Sequence, residues 1–498
     1  MKLRRQIHRM ECTLLCRTAE VLFAIALAIA AFPASAQHGA ESKNLELVGF
    51  NDLQARSAYQ PVIQNQNGRW IAYIGHHGGT ASMPKPVNPL TGEAEFNGTS
   101  IVDVTDPSQP RYLHHIPGEE GLDESGGAQM VRVCPGKGLS KGDPDRFYML
   151  RVFGNSAHEV WDVTDPTTPK LLSRITGVKG THKNFWECDT GIAYLVSGAP
   201  GWRTRRMTQI YDLGDPAQPR FIRDFGLPGQ QADATDPIPE ELHGPISTGP
   251  AGNRVYFGYG TDKNGVMQIV DRQKLLTGPA APTDDNLRYP QVGQLVLSPK
   301  TGAHTAFPIL GLTVSEFSND RDAKRDFVLI VNESLVNECA EARQMAWIAD
   351  VTVESKPQIV SNFTVPESSG KFCSRGGRFG THSSNESMTP IYYRRMVFLA
   401  HFNAGVRAVD IRNPFSPREV AYYIPRPPTR RRRVASRSMA KIGARLRSRP
   451  TMSRSTTAVT SMSWIARTPE CISFSSLARR GISPTFQSEP LDVNGCWG

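Results

Sequence analysis

An all-β propeller is the fold this sequence predicts, and three observations predict it. One phrase recurs along the chain, its spacing is that of propeller blades, and strand-like runs bounded by turn residues fill each interval. The clearest copies are Ile101-Val-Asp-Val-Thr-Asp-Pro-Ser-Gln-Pro110, Val160-Trp-Asp-Val-Thr-Asp-Pro-Thr-Thr-Pro169 and Ile210-Tyr-Asp-Leu-Gly-Asp-Pro-Ala-Gln-Pro219. Weaker copies are Ile348-Ala-Asp-Val-Thr-Val-Glu-Ser-Lys-Pro357 and Ala408-Val-Asp-Ile-Arg-Asn-Pro-Phe-Ser-Pro417, with Gln268-Ile-Val-Asp-Arg-Gln273 a degenerate one. Their first aspartates, Asp103, Asp162, Asp212, Asp271, Asp350 and Asp410, lie 59, 50, 59, 79 and 60 residues apart.

Each element of the repeat has a mechanical reading. An apolar, mostly β-branched pair leads a strand to the first Asp. The Asp-Pro that follows breaks the ladder, because Pro has no N–H and Asp bonds its own local backbone. Alternation then resumes, as in Lys170-Leu-Leu-Ser-Arg-Ile175 and Arg220-Phe-Ile-Arg-Asp-Phe225. Further apolar runs, such as Ile192–Val196, Arg254–Phe257, Phe327–Val331 and Met396–Ala400, supply another strand. Three strands recur in each interval, and a fourth fits between turn and run. Leu45-Glu-Leu-Val-Gly-Phe50 reads as the outer strand that starts the ring. The Asp103/Asp106 and Asp162/Asp165 spacings admit a calcium reading. No D-x-D-x-D-G loop is present, however, and turn capping is the simpler account.

These phrases resemble the LVIVD-repeat proteins, a bacterial family of β-propellers. The likeness covers roughly residues 44–425 and rests on strands like Ile101-Val-Asp-Val with their trailing Asp-Pro-x-x-Pro. It implies a propeller in a protein of the exported bacterial type. It implies no particular reaction, because propellers host enzymes, binding scaffolds and assembly platforms alike.

Residues 1–36 read as a secretory signal. Lys2, Arg4, Arg5 and Arg9 give a positive start, Val21–Ala31 an apolar core too short for an ordinary transmembrane helix, and Ala34-Ser-Ala36 a cleavage site. Cys16 stands before the apolar core, which argues against a lipoprotein anchor. A periplasmic or secreted monomer without a membrane span is expected. The cysteines agree with that compartment. Cys134, Cys188, Cys339 and Cys373 remain in the repeat region; three pairings are open, and Cys134–Cys188 with Cys339–Cys373 is favoured because each pair falls in neighbouring repeats. A thiolate metal site is the alternative, without any C-x-x-C spacing to support it.

Composition changes after Pro425. Residues 426–498 hold 13 Arg and one Lys against Glu470, Glu489 and Asp492, so this tail carries +11 of a net +10. The repeats are therefore near neutral, and nothing in their charge points to nucleic acid. The tail reads as an out-of-frame translation of a last repeat. Permitted codons for Ser455–Phe474, read one nucleotide earlier, give DDRGYIYVVDRANTGMHIL, a turn–strand–turn–strand peptide. A disordered basic tail is the alternative. With that segment counted, the expectation is seven blades, the last incomplete.

Four histidines carry the candidate chemistry. His182, His243, His304 and His382 follow their repeat aspartates by 20, 31, 33 and 32 residues, just before the next apolar run. That register places each near the start of an innermost strand, where four imidazoles would face one axis. Such a ring suits copper, iron or zinc, with Glu187 and Glu386 as carboxylates that could orient the imidazoles. The competing reading is structural, each ring hydrogen-bonding a neighbouring blade. His76, His77 and His401 end apolar runs and are expected at blade edges, His158 precedes a strand, and His114 and His115 are expected to face solvent from an outer strand. Trp202, Arg203, Arg205 and Arg206 form a basic-aromatic loop, either an anion-holding loop or a solvated one. Cys373–Gly380 lacks the Lys-Ser/Thr ending of a phosphate loop, and no G-x-S-x-G elbow occurs. Two functions remain open: a scaffold binding a protein or small-molecule partner, and a metal-dependent oxidoreductase using the His cluster.

Overall fold

The computed structural model describes residues 40–425, apart from 262, 315–322, 337, 376 and 389. The signal-like segment 1–36 and the tail 426–498, with its out-of-frame reading, lie outside the described residues. What is described is a six-bladed β-propeller. A short strand, β1 (Glu41–Lys43), precedes the blades. Blade one is β2 (Tyr59–Gln66), β3 (Arg69–His77), β4 (Gly98–Asp103) and β5 (Arg111–Pro117), with a small added strand β6 (Gly127–Ala128) on the end of β3. Blade two is β7 (Val131–Pro135), β8 (Phe147–Phe153), β9 (Ala157–Asp162) and β10 (Lys170–Ile175). Blade three is β11 (Asn184–Trp186), β12 (Ile192–Ser197), β13 (Met207–Asp212) and β14 (Arg220–Phe225). Blade four is β15 (Leu242–Ser247), β16 (Arg254–Tyr259), β17 (Val266–Asp271) and β18 (Gln291–Val296). Blade five is β19 (Thr305–Thr313), β20 (Lys324–Val331), β21 (Ala346–Asp350) and β22 (Gln358–Phe363). Blade six is β23 (Phe379–Ser384), β24 (Met396–Phe402), β25 (Val406–Asp410) and β26 (Arg418–Ile424). Each sheet is antiparallel in chain order, and the first strands of successive blades pack against one another around the axis.

The repeat phrase has one structural meaning in every blade. Its first Asp is the last residue of the third strand. The Asp103 carboxylate accepts from Thr105 N–H at 3.0 Å, and Asp162, Asp212, Asp350 and Asp410 do the same two residues on. The other carboxylate oxygen takes an arginine, as with Arg69 and Arg111 on Asp103 and Arg220 on Asp212. Those bonds account for the carboxylates without calcium. The degenerate copy differs for a visible reason: Asp271 caps the helix Arg272–Thr277 through Lys274 N–H, so a helix replaces the Asp-Pro turn. A register shift two residues or fewer before the Asp recurs in all six third-to-fourth strand pairs. A bulge there increases local twist, which a propeller blade needs.

The core lies between blades. Val62, Tyr73 and Ile101 of blade one pack with Val131 and Met149 of blade two, and Phe327 and Ile348 of blade five with Val397 and Val409 of blade six. The Cys134–Cys188 bridge joins β7 of blade two to the segment just after β11 of blade three, and Cys339–Cys373 joins blades five and six, with Cα separations of 5.1 and 6.3 Å. Both pairs are those expected from neighbouring repeats.

Ring closure corrects three expectations. β1 adds to the outer edge of blade six, pairing Glu41 with Ile424, and Asn44 Nδ2 donates to Val420 O at 2.8 Å. Blade one then meets blade six through Tyr59 and His382, whose rings lie 5.8 Å apart. Six aspartates fill six blades, so among the described residues the ring closes without a seventh. The last blade is complete, with four strands of its own. The ring-starting strand is Glu41–Lys43 rather than Leu45–Phe50, where Leu47, Val48 and Phe50 are exposed. Among the described residues no helix is long and apolar enough to cross a membrane.

Candidate metal centre

The four histidines sit where inner strands begin. His243 and His382 lie within β15 and β23, while His182 and His304 stand one or two residues before β11 and β19. The His182 and His304 amides donate to Val196 O and Val331 O, so the ladder fixes both Cα positions. A short local pattern recurs: Gly180-Thr-His182, Gly302-Ala-His304 and Gly380-Thr-His382. Its fourth copy is Gly127-Ala-Gln129, which leads from β6 into blade two, and the first strand of blade one begins with Tyr59.

The structure brings all four rings together. Centroids of His182 and His243 are 4.5 Å apart, His243 and His304 3.8 Å, and His304 and His382 4.8 Å. Gln129 extends the series on one side, with Nε2 2.5 Å from His182 Nδ1. Tyr59 completes it, 5.8 Å from His382 and 6.5 Å from His182.

A carboxylate that sequence reasoning missed lies at the centre. Glu333 Oε2 is 3.9 Å from both His243 Nε2 and His304 Nε2, and its Oε1 is 3.8 Å from His382 Nε2. Ligand atoms of His243, His304 and Glu333 all fall within 4.8 Å of one another. Donors on one side of an ion are about 2.9–3.4 Å apart, so these groups would have to close by about 1–2 Å to share a centre. His182 Nε2 and His243 Nε2 are 2.9 Å apart. Two nitrogens at about 2.05 Å from an ion and roughly 90° apart have that separation. His304 Nε2 is buried without a partner, while its Nδ1 meets Thr305 Oγ1 at 2.9 Å, which fixes the ring.

Electrostatics favour the donor form of the imidazoles, though not of the carboxylate. Burial holds the His182, His243, His304 and His382 pKa values well below the ordinary range, so each imidazole is neutral near pH 7 and keeps a lone pair. Burial pushes Glu333 up to about 7, against the pull of Arg378, which donates to it at 3.0 Å. As placed, Gln129 donates to His182 Nδ1 and leaves its own Oε1 buried and unpartnered. The same Nε2 also donates to His182 O at 3.4 Å, which fixes the amide in this orientation.

A second layer lies next along the channel. Lys183 and Arg132 both bind Glu386, at 3.1 and 2.5 Å, joining blades three, two and six. Burial raises Glu386, but the two cations more than offset it and hold it at about 2. Gly244 makes room for this: a Cβ there would fall 2.8 Å from Lys183 Cδ.

Other sequence expectations change. Glu386 faces Lys183 and Arg132 rather than an imidazole. Glu187 lies between blades, accepting from Arg272 at 2.8 and 2.7 Å, Tyr194 at 3.0 Å and Ser247 at 2.5 Å. His76 and His401 are fully buried inside blades rather than at their edges, and His76 Nε2 meets Ser100 Oγ at 2.7 Å. His77 is at the mouth of the cluster, its ring 5.0 Å from Tyr59. His158 is buried within β9, and His115 faces inward, 2.7 Å from Glu95, rather than solvent. Arg206 of the basic-aromatic loop is also buried, its Nε on Gly180 O at 2.9 Å.

No protein-family description and no curated protein matches the chain. Among solved structures it is similar to Sqt1 of Chaetomium thermophilum, at 8% identity and TM-score 0.42, over 74% of this chain and 73% of that one. It is similar to hydrazine synthase of Kuenenia stuttgartiensis at 10% identity and TM-score 0.39, over 76% and 80%. A computationally designed protein, Ika8, gives 11% identity and TM-score 0.36, over 74% and 75%. The propeller fold itself is consistent with a scaffold or binding role.

Proposed function

We propose that this chain is an exported propeller of the LVIVD-repeat type that holds one transition-metal ion at its axis and serves as an oxidoreductase toward a small ligand. The observation that carries the reading is the convergence of His243, His304 and Glu333, with the buried His304 Nε2 lacking any other partner. Two imidazoles and a carboxylate on one side of an ion are the donor set of non-haem iron oxygenases. That favours iron over copper or zinc. His182 and His382 stand beside the triad as further donors, and Tyr59 and Gln129 complete its wall. The two disulfides support a periplasmic or secreted location, where such bridges persist.

The test is elemental analysis of protein purified from an oxidising compartment. One equivalent of iron or copper, reducible by dithionite and reoxidised in air, supports the reading. One equivalent of zinc keeps the metal site and overturns the oxidoreductase. No metal overturns both and leaves a scaffold that binds a protein or small-molecule partner. The Arg378–Glu333 ion pair, which already neutralises the carboxylate, favours that second reading.

A further inference from the structure

Gln129 decides what His182 can do. The amide Nε2 carries two hydrogens, and both are used on His182: one goes to the ring Nδ1 at 2.5 Å and the other to the backbone O at 3.4 Å. Turned over, the amide would set its Oε1 against the His182 carbonyl oxygen, two acceptors with no hydrogen between them. The orientation in place is therefore the favoured one, and His182 Nδ1 is an acceptor. A neutral imidazole has one N–H and one bare nitrogen, so the proton of His182 lies on Nε2.

That Nε2 stands 2.9 Å from His243 Nε2, and the two rings meet at 88°. The distance suits two nitrogens sharing an ion, and it equally suits an N–H···N hydrogen bond. With the proton on His182 it is the hydrogen bond: His182 donates and His243 Nε2 accepts. His182 then offers no lone pair on that side, whereas His243 presents one that an ion can take in place of the proton. A second observation agrees. Among the described residues, the ligand atoms that lie within 4.8 Å of one another are those of His243, His304 and Glu333, and His182 is not in that set. Nor is the ring free to turn to another task, because the His182 N–H donates to Val196 O at 3.1 Å while Gln129 holds its carbonyl and its Nδ1. Once an ion occupies the His243 lone pair, the Nε2–H loses its acceptor and faces the coordination position beside it. A buried N–H needs a partner, and an oxygen bound to the ion there provides one.

We infer that His182 is the hydrogen-bond donor to an oxygen ligand on the ion, and not itself a ligand of the ion, with Gln129 as the positioning residue that keeps its proton on Nε2. This rests on the metal reading above and gives His182 a proton to share beside the triad rather than a lone pair. The ligand class is a small species bound through an anionic oxygen, such as hydroxide or a carboxylate. A hydrogen bond to such an oxygen strengthens with the charge on it, so the donor favours the anionic ligand over a neutral one.

The experiment titrates cobalt(II), read by its visible absorption, into the metal-free protein and its His182→Gln, His182→Met and His243→Gln forms, and then titrates formate into each cobalt-loaded protein. Nitrogen NMR of the histidine rings in metal-free protein, with His182→Gln to assign the signal, reads the tautomer. The expected tautomer has the His182 proton on Nε2, and Gln129→Met no longer holds it there. Cobalt affinity should stay close to that of the unaltered protein in both His182 variants. In His243→Gln it should fall by more than about a hundredfold, the most that a supporting residue costs. Formate should bind about tenfold more weakly to cobalt-loaded His182→Met than to the unaltered protein, the worth of one hydrogen bond to a charged group, with His182→Gln between them. Cobalt affinity as weak in His182→Gln and His182→Met as in His243→Gln makes His182 a ligand, which overturns the inference and leaves the metal reading standing. A His182 proton on Nδ1, or equal formate affinity in the unaltered and His182→Met proteins, does the same. No cobalt bound by the unaltered protein overturns the metal reading and the inference with it.

Discussion

Replacing Arg272 with Met separates structural carboxylates from metal-binding ones. Glu187 and Arg272 are 4% and 6% exposed, and their bidentate contact ties blade three to the helix Arg272–Thr277 of blade four. Removing one partner of a buried ion pair costs about 3–5 kcal/mol, because the remaining charge stays buried. Here Tyr194, Ser247 and Thr190 still donate to the carboxylate, which places the loss near the lower end, about 3 kcal/mol. A ring of roughly 390 residues unfolds with an entropy of about 0.8 kcal/mol/K, so the melting temperature should fall by about 4 °C. Adding Glu187→Gln to Arg272→Met should recover part of that loss, since the stranded charge is gone. Neither change should alter bound metal. Glu333→Gln should lower metal content as well as the melting temperature, because it also strips buried Arg378 of its partner. Differential scanning calorimetry with elemental analysis of the four proteins gives both readouts. A shift below 1 °C for Arg272→Met, or metal loss equal to that of Glu333→Gln, would refute the assignment of Glu187 to structure.

Two further outcomes follow from burial and cross-linking. The Cys134→Ser/Cys188→Ser protein loses a bridge spanning 54 residues, which the chain-entropy relation values at about 4 kcal/mol, so its melting point should drop about 5 °C; an unchanged melting point contradicts the bridge. His158 and His401 are fully buried, and burial holds both at about 3. Both are bases with a depressed folded pKa, so below about 6.5 the unfolded chain binds protons that the folded one does not. Each then costs about 1.4 kcal/mol per pH unit down to about 3. The urea midpoint of the metal-free protein should therefore fall steadily from pH 6.5 to 5, and a flat profile there rules out neutral buried histidines.

Much of the fold was legible because its signals are local. An Asp-Pro turn needs only the residues around Asp103 or Asp162 to form, so the third and fourth strands could be placed without tertiary knowledge. The ring of histidines was legible for a related reason: each lies at or near the start of its blade's first strand. Blade number was not, because the basic tail suggested a lost repeat while closure depends on Glu41–Lys43, three residues with little strand character. The carboxylates failed through pleat and distance. Glu187 is five residues after His182, an odd step that turns it to the opposite face of an extended chain and so between blades. Glu386 is four residues after His382 and reaches the next layer of the channel, where Lys183 meets it. Glu333 comes from the end of a second strand, two residues past the run Phe327–Val331. His77 and Phe402 end the second strands of blades one and six and also reach the mouth, so the signal was present, spread over three repeats.

The central claim is that imidazoles from separate blades share one ion, and X-ray absorption at the edge of the bound metal tests it most directly. The account predicts a nearest shell of nitrogen and oxygen at about 2.0–2.2 Å, with outer-shell scattering from at least two imidazoles that is lost in His243→Ala/His304→Ala. An all-oxygen shell without imidazole scattering, or a spectrum unchanged by the double replacement, would contradict it.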